Sequence, residues 1–372
     1  MSGKHRDASW WWPLAEAKRD LVAGVGNPGL WACLFMVILL MCGGADALSV
    51  RQLADAAWAY RESGGDILTI SSPGGIRGRD CAALGSIDGV QGAMAMRGAD
   101  AVTPLALPDA PYLAYEVTDG ARNLIDIDGD DGFVIASKIG EQLGIGAGDG
   151  LVTADGISHT VTGTYAWPND GRLPQYATTI LLATPATELD TMFDSCWVRA
   201  WPMTAQIRDA LNAVVTKARD VGPIGGTSVP TPTRLNPLLA GNAPGAADYR
   251  GRITRFAVVP AMLLSAVAGA AAVLQRRVEL AMLRQFGATR PQVAEKMLGV
   301  ALGWSVPAAV ASLGLLALVL APAAGSVSDA LRLFGDVAVR AVAGGLCGLY
   351  LGTLAAACLI SPRSLPALVR MR

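Results

Sequence analysis

Four long uncharged runs constrain this chain more than any other feature. Leu21–Ala45, Phe256–Gln275, Met297–Ser328 and Ala341–Pro362 contain no Asp, Glu, Lys or Arg. A helix needs roughly 20 apolar residues to cross the hydrocarbon core, and each run reaches that length. Backbone in contact with lipid must satisfy its own polar groups, which favours helices for such runs. Their spacing is uneven. The first stands alone, residues 51–252 of ordinary globular composition follow, and the other three come in quick succession. The plan is one span, a large aqueous domain, then a cluster of three spans.

Composition agrees with that plan. Of 372 residues, 52% are hydrophobic and 16% charged, and mean hydropathy is +0.38. This is the profile of an integral membrane protein with a sizeable aqueous part. The net charge of −1 hides an asymmetry: Arg51 to Arg252 holds 23 acidic against 15 basic residues, and the rest of the chain is basic. An acidic body gives no support to nucleic-acid binding, which needs a basic patch. Lys4, Arg6, Lys18 and Arg19 precede the first run. Arg276, Arg277, Arg284, Arg290 and Lys296 lie between the second and third, and Arg363, Arg370 and Arg372 follow the fourth. Short basic segments stay in the cytoplasm, so both termini are expected inside and the large domain outside. The polar prelude makes the first run an anchor rather than a cleaved signal.

Cys33, Cys42, Cys347 and Cys358 fall in the runs, where cysteine is a small apolar filler. Cys81 and Cys196 are the two in the large domain. An oxidising exterior and an even count favour a disulfide between them; the alternative is two separately buried thiols.

Trp10, Leu14, Ala17 and Leu21 share one face at helical spacing, which predicts an amphipathic helix on the inner membrane surface, turning upward at Asn27-Pro28-Gly29. A helix is expected to continue over Leu48–Tyr60. Strands are expected at Asp66–Ser71, Tyr112–Val117, Gly132–Ala136, Leu151–Ala154 and Thr160–Tyr165, with a hairpin at Asp155-Gly156. Helical pieces are expected at Arg79–Leu84, Ser137–Leu143 and Thr204–Asp220, making the domain α+β. Between the second and third runs, Arg276–Phe286 has helix-forming composition. Gly287 can end that helix in a left-handed conformation, and Thr289 with Gln292 forms a capping box for the next.

Motifs for chemistry are sparse. No phosphate-binding Gly-rich loop ending in Lys-Ser or Lys-Thr occurs. His5 and His159 are far apart and without cysteine neighbours, so no metal site is expected. The acidic run Asp126, Asp128, Asp130, Asp131 has Asp131 and Ser137 where a calcium loop needs Gly and Glu, and reads as a solvated turn. Gly344, Gly348 and Gly352 recur every fourth residue and permit close helix contact, a weak signal in membrane helices. Asp46, Arg255 and Arg340 lie at the edges of spans, and the lack of mid-depth charge argues against ion-coupled transport.

The segment Gln275–Val293, QRRVELAMLRQFGATRPQV, resembles the signature of the FtsX-like permease family. Its features are paired arginines, an acidic residue, a Leu-Arg pair, a Gly-Ala-Thr break and Arg-x-Gln. The plan of spans looks like the MacB-type group, Leu14–Asp20 is similar to that family's N-terminal helix, and Gly132–Asp149 with Thr160–Gly163 is similar to a recurring piece of its outside domain. The Pro-rich return segment and the Cys81/Cys196 pair are departures from the general pattern.

The resemblance implies the permease subunit of an ABC transporter, an integral membrane α-helical protein with four transmembrane helices and an extracytoplasmic α+β domain inserted between spans one and two. The chain itself would be non-catalytic and bind no cofactor, with ATP and Mg held by two copies of a separate ATPase chain. A second permease, identical or homologous, and membrane lipid complete the partners. The expected site is bacterial cytoplasmic membrane. By resemblance Arg276–Phe286 is the coupling helix: Arg276, Arg277 and Arg284 meet acidic ATPase surface, Leu283 and Phe286 enter its groove, Glu279 pairs with an arginine on the ATPase or within the helix, and Gly287 forms the break. Movement of this lever would drive the outside domain and export or extract an amphipathic substrate such as a drug, peptide, lipid or haem. The alternatives are an FtsX-type signalling subunit that activates a cell-wall hydrolase, and a receptor-like sensor with no ATPase.

The expected boundaries are 1–26 for the tail and interface helix and 27–50 for the first span. Residues 51–252 form the outside domain, with a Pro/Gly-rich return at 222–247. The second span is 253–275, the coupling segment 276–295, the third span 296–322, a short outside loop 323–336, the fourth span 337–361 and the tail 362–372.

Overall fold

The computed structural model describes residues 12–130, 132–216, 219–220, 227–228, 230–239 and 243–360. Trp10, Trp11, His5, Asp131, residues 222–226, 229 and 240–242 of the 222–247 return, and the 361–372 tail lie outside these. Two compact units divide the chain: residues 1–56 with 246–372, and residues 57–245. Each has its own core.

The first unit opens with α1 (Trp12–Val22), ended by a turn in which Gly24, Gly26 and Asn27 take positive φ. Pro28 then starts α2 (Pro28–Glu62), where a missing N–H costs nothing. The turn comes slightly earlier than Asn27-Pro28-Gly29, and the expected Leu48–Tyr60 helix is an unbroken continuation of α2.

The second unit is built on a nine-stranded mixed sheet. In chain order it contains β1 (Ile67–Arg77), α3 (Gly78–Ala83), β2 (Val90–Val102), β3 (Tyr112–Val117), α4 (Ala121–Leu124), β4 (Ile127–Gly129), β5 (Phe133–Ala136) and α5 (Ser137–Leu143). Then come β6 (Gly150–Val152), β7 (Ser158–Thr160), β8 (Gly163–Tyr165), β9 (Thr179–Ala183), β10 (Met192–Ala200), α6 (Ala205–Ala213), β11 (Arg219–Asp220), β12 (Thr227–Ser228) and β13 (Thr233–Arg234). The sheet order is β13-β1-β10-β2-β3-β9-β5-β8-β4. Only β3–β9 and β5–β8 run parallel.

One face of the sheet buries Ile67, Met94, Ile135, Ile180 and Trp197, and the other Ile70, Ala95, Phe193 and Val198. On the second face Cys81 of α3 is joined to Cys196 of β10, both fully buried. The hairpin at Asp155-Gly156 forms between β6 and β7, with Gly156 at φ +83°.

Sequence periodicity missed β2, β9 and β10. Strand β2 buries Gly92 to Met96 without alternation because both faces of the sheet are covered there: Met94 and Met96 enter one core and Ala93 and Ala95 the other. The helix expected over Thr204–Asp220 stops at Ala213. Val215 instead bridges Ile76, and the Thr216 amide donates to Gly75, so β-branched residues join the sheet edge. The strand expected over Thr160–Tyr165 divides into β7 and β8, which sit in different sheets.

The remainder of the first unit holds α7 (Ala246–Gly251), α8 (Val258–Gln275), α9 (Arg277–Gln285), α10 (Arg290–Leu320), α11 (Val327–Leu333), a π turn at Phe334–Val339, and α12 (Arg340–Leu359). Residues 323–336, expected as a loop, are thus largely helical: Ser326 caps α11 by accepting from the Asp329 amide. Among the described residues, four helical segments are long and apolar enough to cross a membrane: Pro28–Glu62, Ala246–Gln275, Arg290–Ala323 and Val327–Leu359.

Helices α8 and α12 meet backbone to backbone. A Cβ on Gly348 would stand 2.0 Å from the Met262 carbonyl oxygen, and one on Gly352 2.0 Å from that of Ala266. A Cβ on Gly269 would lie 2.3 Å from the Leu349 oxygen. The facing positions rise together along both helices, so the two run parallel.

Candidate functional site at the helix between α8 and α10

Helix α9 is short, strongly two-sided and fixed at both ends. Arg276 precedes it, and Gly287 follows at φ +99° with open space around it. The glycine is required by the backbone conformation, not by crowding. Thr289 and Gln292 then form the reciprocal capping box that starts α10, with the Thr289 amide donating to Gln292 Oε1 at 2.9 Å. These local features follow the sequence closely.

The inward face of α9 buries Leu280 and Ala281 completely, against Val273, Val293, Met297 and Ala357. Leu283 packs against the same cluster. The opposite face is open: Val278, Met282 and Phe286 are exposed at successive turns, and Phe286 is 91% exposed. Arg277 and Gln285 flank this stripe and are also exposed.

Arg276 does not face outward. Its side chain is 5% exposed and bonds to Glu279 through Nε at 2.8 Å and Nη2 at 2.6 Å, and to Asp20 at 2.5 Å. Lys296, 2% exposed, reaches Asp20 and Glu279 at 3.1 Å each. Two buried cations are therefore shared between two carboxylates brought from α1 and α9. Burial opposes ionisation of Asp20 and Glu279, but hydrogen bonds from Arg276 and Lys296 outweigh it and hold both carboxyls below the ordinary range. Arg284 Nη1 donates to the Ile360 carbonyl at 2.5 Å.

The expected set is thus divided. Arg276, Glu279 and Leu283 are committed within the chain, and Arg284 is partly so. Arg277 and Phe286 remain free to meet a partner. The expectation that Arg276 meets a partner surface is corrected: burial with two carboxylates leaves it no outward face. Val278 and Met282 join the exposed stripe and were missed, although their spacing with Phe286 was readable. Asp20 and Lys296 were missed because no local pattern marks them.

Helix α1 packs where Gly299 and Gly303 open α10. A Cβ at Gly303 would stand 2.1 Å from Leu21 and one at Gly299 3.0 Å from Ala17. The expected Leu14–Ala17–Leu21 face is the one used, and it places Asp20 beside Arg276.

A second buried ion cluster lies at the opposite ends of these helices. Arg252 donates to Asp46 at 2.8 Å and to Asp336 at 2.9 Å, and Arg340 donates to Asp336 at 3.2 Å. Asp336 stands in the π turn. Asp46, expected as an edge charge, is buried in this pairing. Among the described residues no group of His, Cys, Asp and Glu is placed to hold a metal ion.

No protein-family model and no curated protein matches the chain. Solved structures do. The periplasmic region of MacB from Actinobacillus actinomycetemcomitans matches with 9% identity and a TM-score of 0.32, covering 48% of this chain and 93% of that one. The extracellular domain of the ABC-type transporter YknZ from Gram-positive bacteria matches with 13% identity and a TM-score of 0.28, covering 45% and 98%. A domain of a putative permease protein from Porphyromonas gingivalis matches with 15% identity and a TM-score of 0.31, covering 46% and 90%.

Proposed function

We propose that this chain is the membrane subunit of an FtsX-like, MacB-type ABC transporter, and that it works by mechanotransmission. The observation that carries the reading is α9, a short helix with one face locked into the unit by a buried ion network and the other left as an apolar stripe beside Arg277. Such a helix can take up a push without deforming, because its inner face is pinned by Arg276, Glu279, Lys296 and Asp20. Two copies of a separate ATPase subunit would seat Val278, Met282 and Phe286, with ATP and Mg bound on those subunits. A second permease copy or homologue would complete the assembly in a bacterial cytoplasmic membrane, with α9 and both termini inside.

In this reading ATP-driven closure of the ATPases moves α9 and the helices continuous with it in sequence, and the mixed-sheet domain responds on the outside. The dry character of the spans fits work done outside the bilayer on an amphipathic substrate. Two substitutions test it. Phe286→Asp places a charge in the apolar stripe. Gly287→Pro imposes φ near −65° where the chain needs +99°. Both should abolish ATP hydrolysis stimulated by the permease in a co-expressed complex, while membrane insertion persists. Undiminished stimulation in both would overturn the assignment of α9.

A further inference from the structure

The 57–245 unit is acidic overall, yet around the turn Glu62–Asp66 it gathers positive charge. Arg61 and Arg199 share the buried carboxylate of Asp66 at 3.8 and 3.6 Å. Arg172 donates Nη2 to the Glu62 carbonyl and lies 3.1 Å from Asp170. Arg234 donates Nη1 to the Gly65 carbonyl at 2.7 Å. Four guanidiniums therefore surround one short turn, with Asp66 and Asp170 as their paired carboxylates.

These arginines are not fully used. Arg61 Nη1, Arg172 Nη1 and Arg234 Nη2 have no hydrogen-bond partner among the described residues, and they are not among the buried atoms left without one. All three side chains are partly buried and keep some surface contact, 26% for Arg61 and 12% for Arg172. A guanidinium with a free donor edge suits a phosphate or carboxylate.

An apolar surface adjoins the charge. The Arg172 guanidinium lies 6.0 Å from the Trp167 ring centre. Trp167 and Tyr176 have centroids 5.5 Å apart, and Tyr176 and Tyr115 5.6 Å apart. All three rings are half-buried on the rim of the core, and Leu113 beyond them is 56% exposed.

We propose that Arg172, Arg61 and Arg234, with Trp167, Tyr176 and Tyr115, form a binding surface for an amphipathic anion. Its phosphate or carboxylate head lies on the guanidiniums and its apolar body along the rings. Charge complementarity selects this occupant: a cationic amphiphile would meet four arginines. The proposal rests on the reading above, since it names a substrate class for the outside domain of the transporter. Its test is independent of coupling.

The full chain in lipid nanodiscs, without ATPase or ATP, is titrated calorimetrically with 1-naphthyl phosphate, with empty nanodiscs as blank. 1-Naphthylmethylammonium is the charge-reversed control. The phosphate should bind at least about ten-fold tighter than the ammonium, and Arg172→Gln should weaken it about ten-fold, one charged hydrogen bond's worth. Inorganic phosphate should compete in the unsubstituted protein, which tests the site without relying on a variant that folds. Equal binding of the two naphthyl probes, or no effect of both Arg172→Gln and Arg234→Gln, would overturn the proposal. A Phe286→Asp protein should bind the probe normally, so failure here and failure of coupling are distinguishable.

Discussion

Arg276 shows how far a residue's role depends on what surrounds it. In sequence it is one of a pair of arginines, and the two look equivalent. In the fold it is the buried centre of a network with Asp20, Glu279 and Lys296, and Arg277 is exposed. Removing one member of a buried pair leaves an uncompensated charge. Arg276→Gln should therefore destabilise the first unit by about 3 kcal/mol, the low end of the usual cost because Glu279 keeps some solvent contact. Thermal unfolding in detergent micelles would measure it, and Arg277→Gln should leave the midpoint nearly unchanged. The network also has a pH signature. Asp20 and Glu279 have depressed values in the fold, so their contribution is fully present above the ordinary carboxylate range. It is lost as pH falls through that range to the folded values. Melting should be flat around neutrality and decline below about pH 5, with the decline shallower in the Arg276→Gln protein.

At the level of elements, the α8–α12 seam is the tightest contact in the helical unit. Sequence offered Gly344, Gly348 and Gly352 as a weak repeat with no partner. Packing supplies the partner: carbonyls of Met262 and Ala266 occupy the space a side chain would need. Gly348→Leu should separate the helices and cost several kcal/mol, because the obstacle is backbone and cannot move aside. A cysteine cross-link between the two helices, efficient in the parent and lost in Gly348→Leu, would check this. Gly314, with nothing nearby, is the control position. Elements with strong local signals were legible: β3 and α5 have the expected ends, and α9, Gly287 and the capping box follow in order. Strand β2 was not, because its Ala, Met and Gly carry no period when both faces of the sheet are covered.

For the whole molecule, the disulfide is the longest covalent tie. It joins residues 115 apart, and closing so long a loop is worth about 4–5 kcal/mol in the chain-entropy model. Replacing Cys81 and Cys196 together by alanine should lower the unfolding midpoint of the 57–245 unit and speed its proteolysis, with the helical unit less affected. Equal protease resistance of parent and variant would show that the sheet holds without the bridge. The sequence by itself determined the number of membrane-length helices, their uneven spacing and the lever-like segment with its glycine stop. Those depend on apolar length, helix propensity and caps, which act over a few residues. Tertiary structure decided the strand order, the inward turn of Arg276, the Arg252 cluster and the arginine ring around Asp66. Such pairings join residues as distant as Asp20 and Arg276, 256 positions apart. No local preference specifies them; they follow from which buried surfaces fit together and which charges must then find partners.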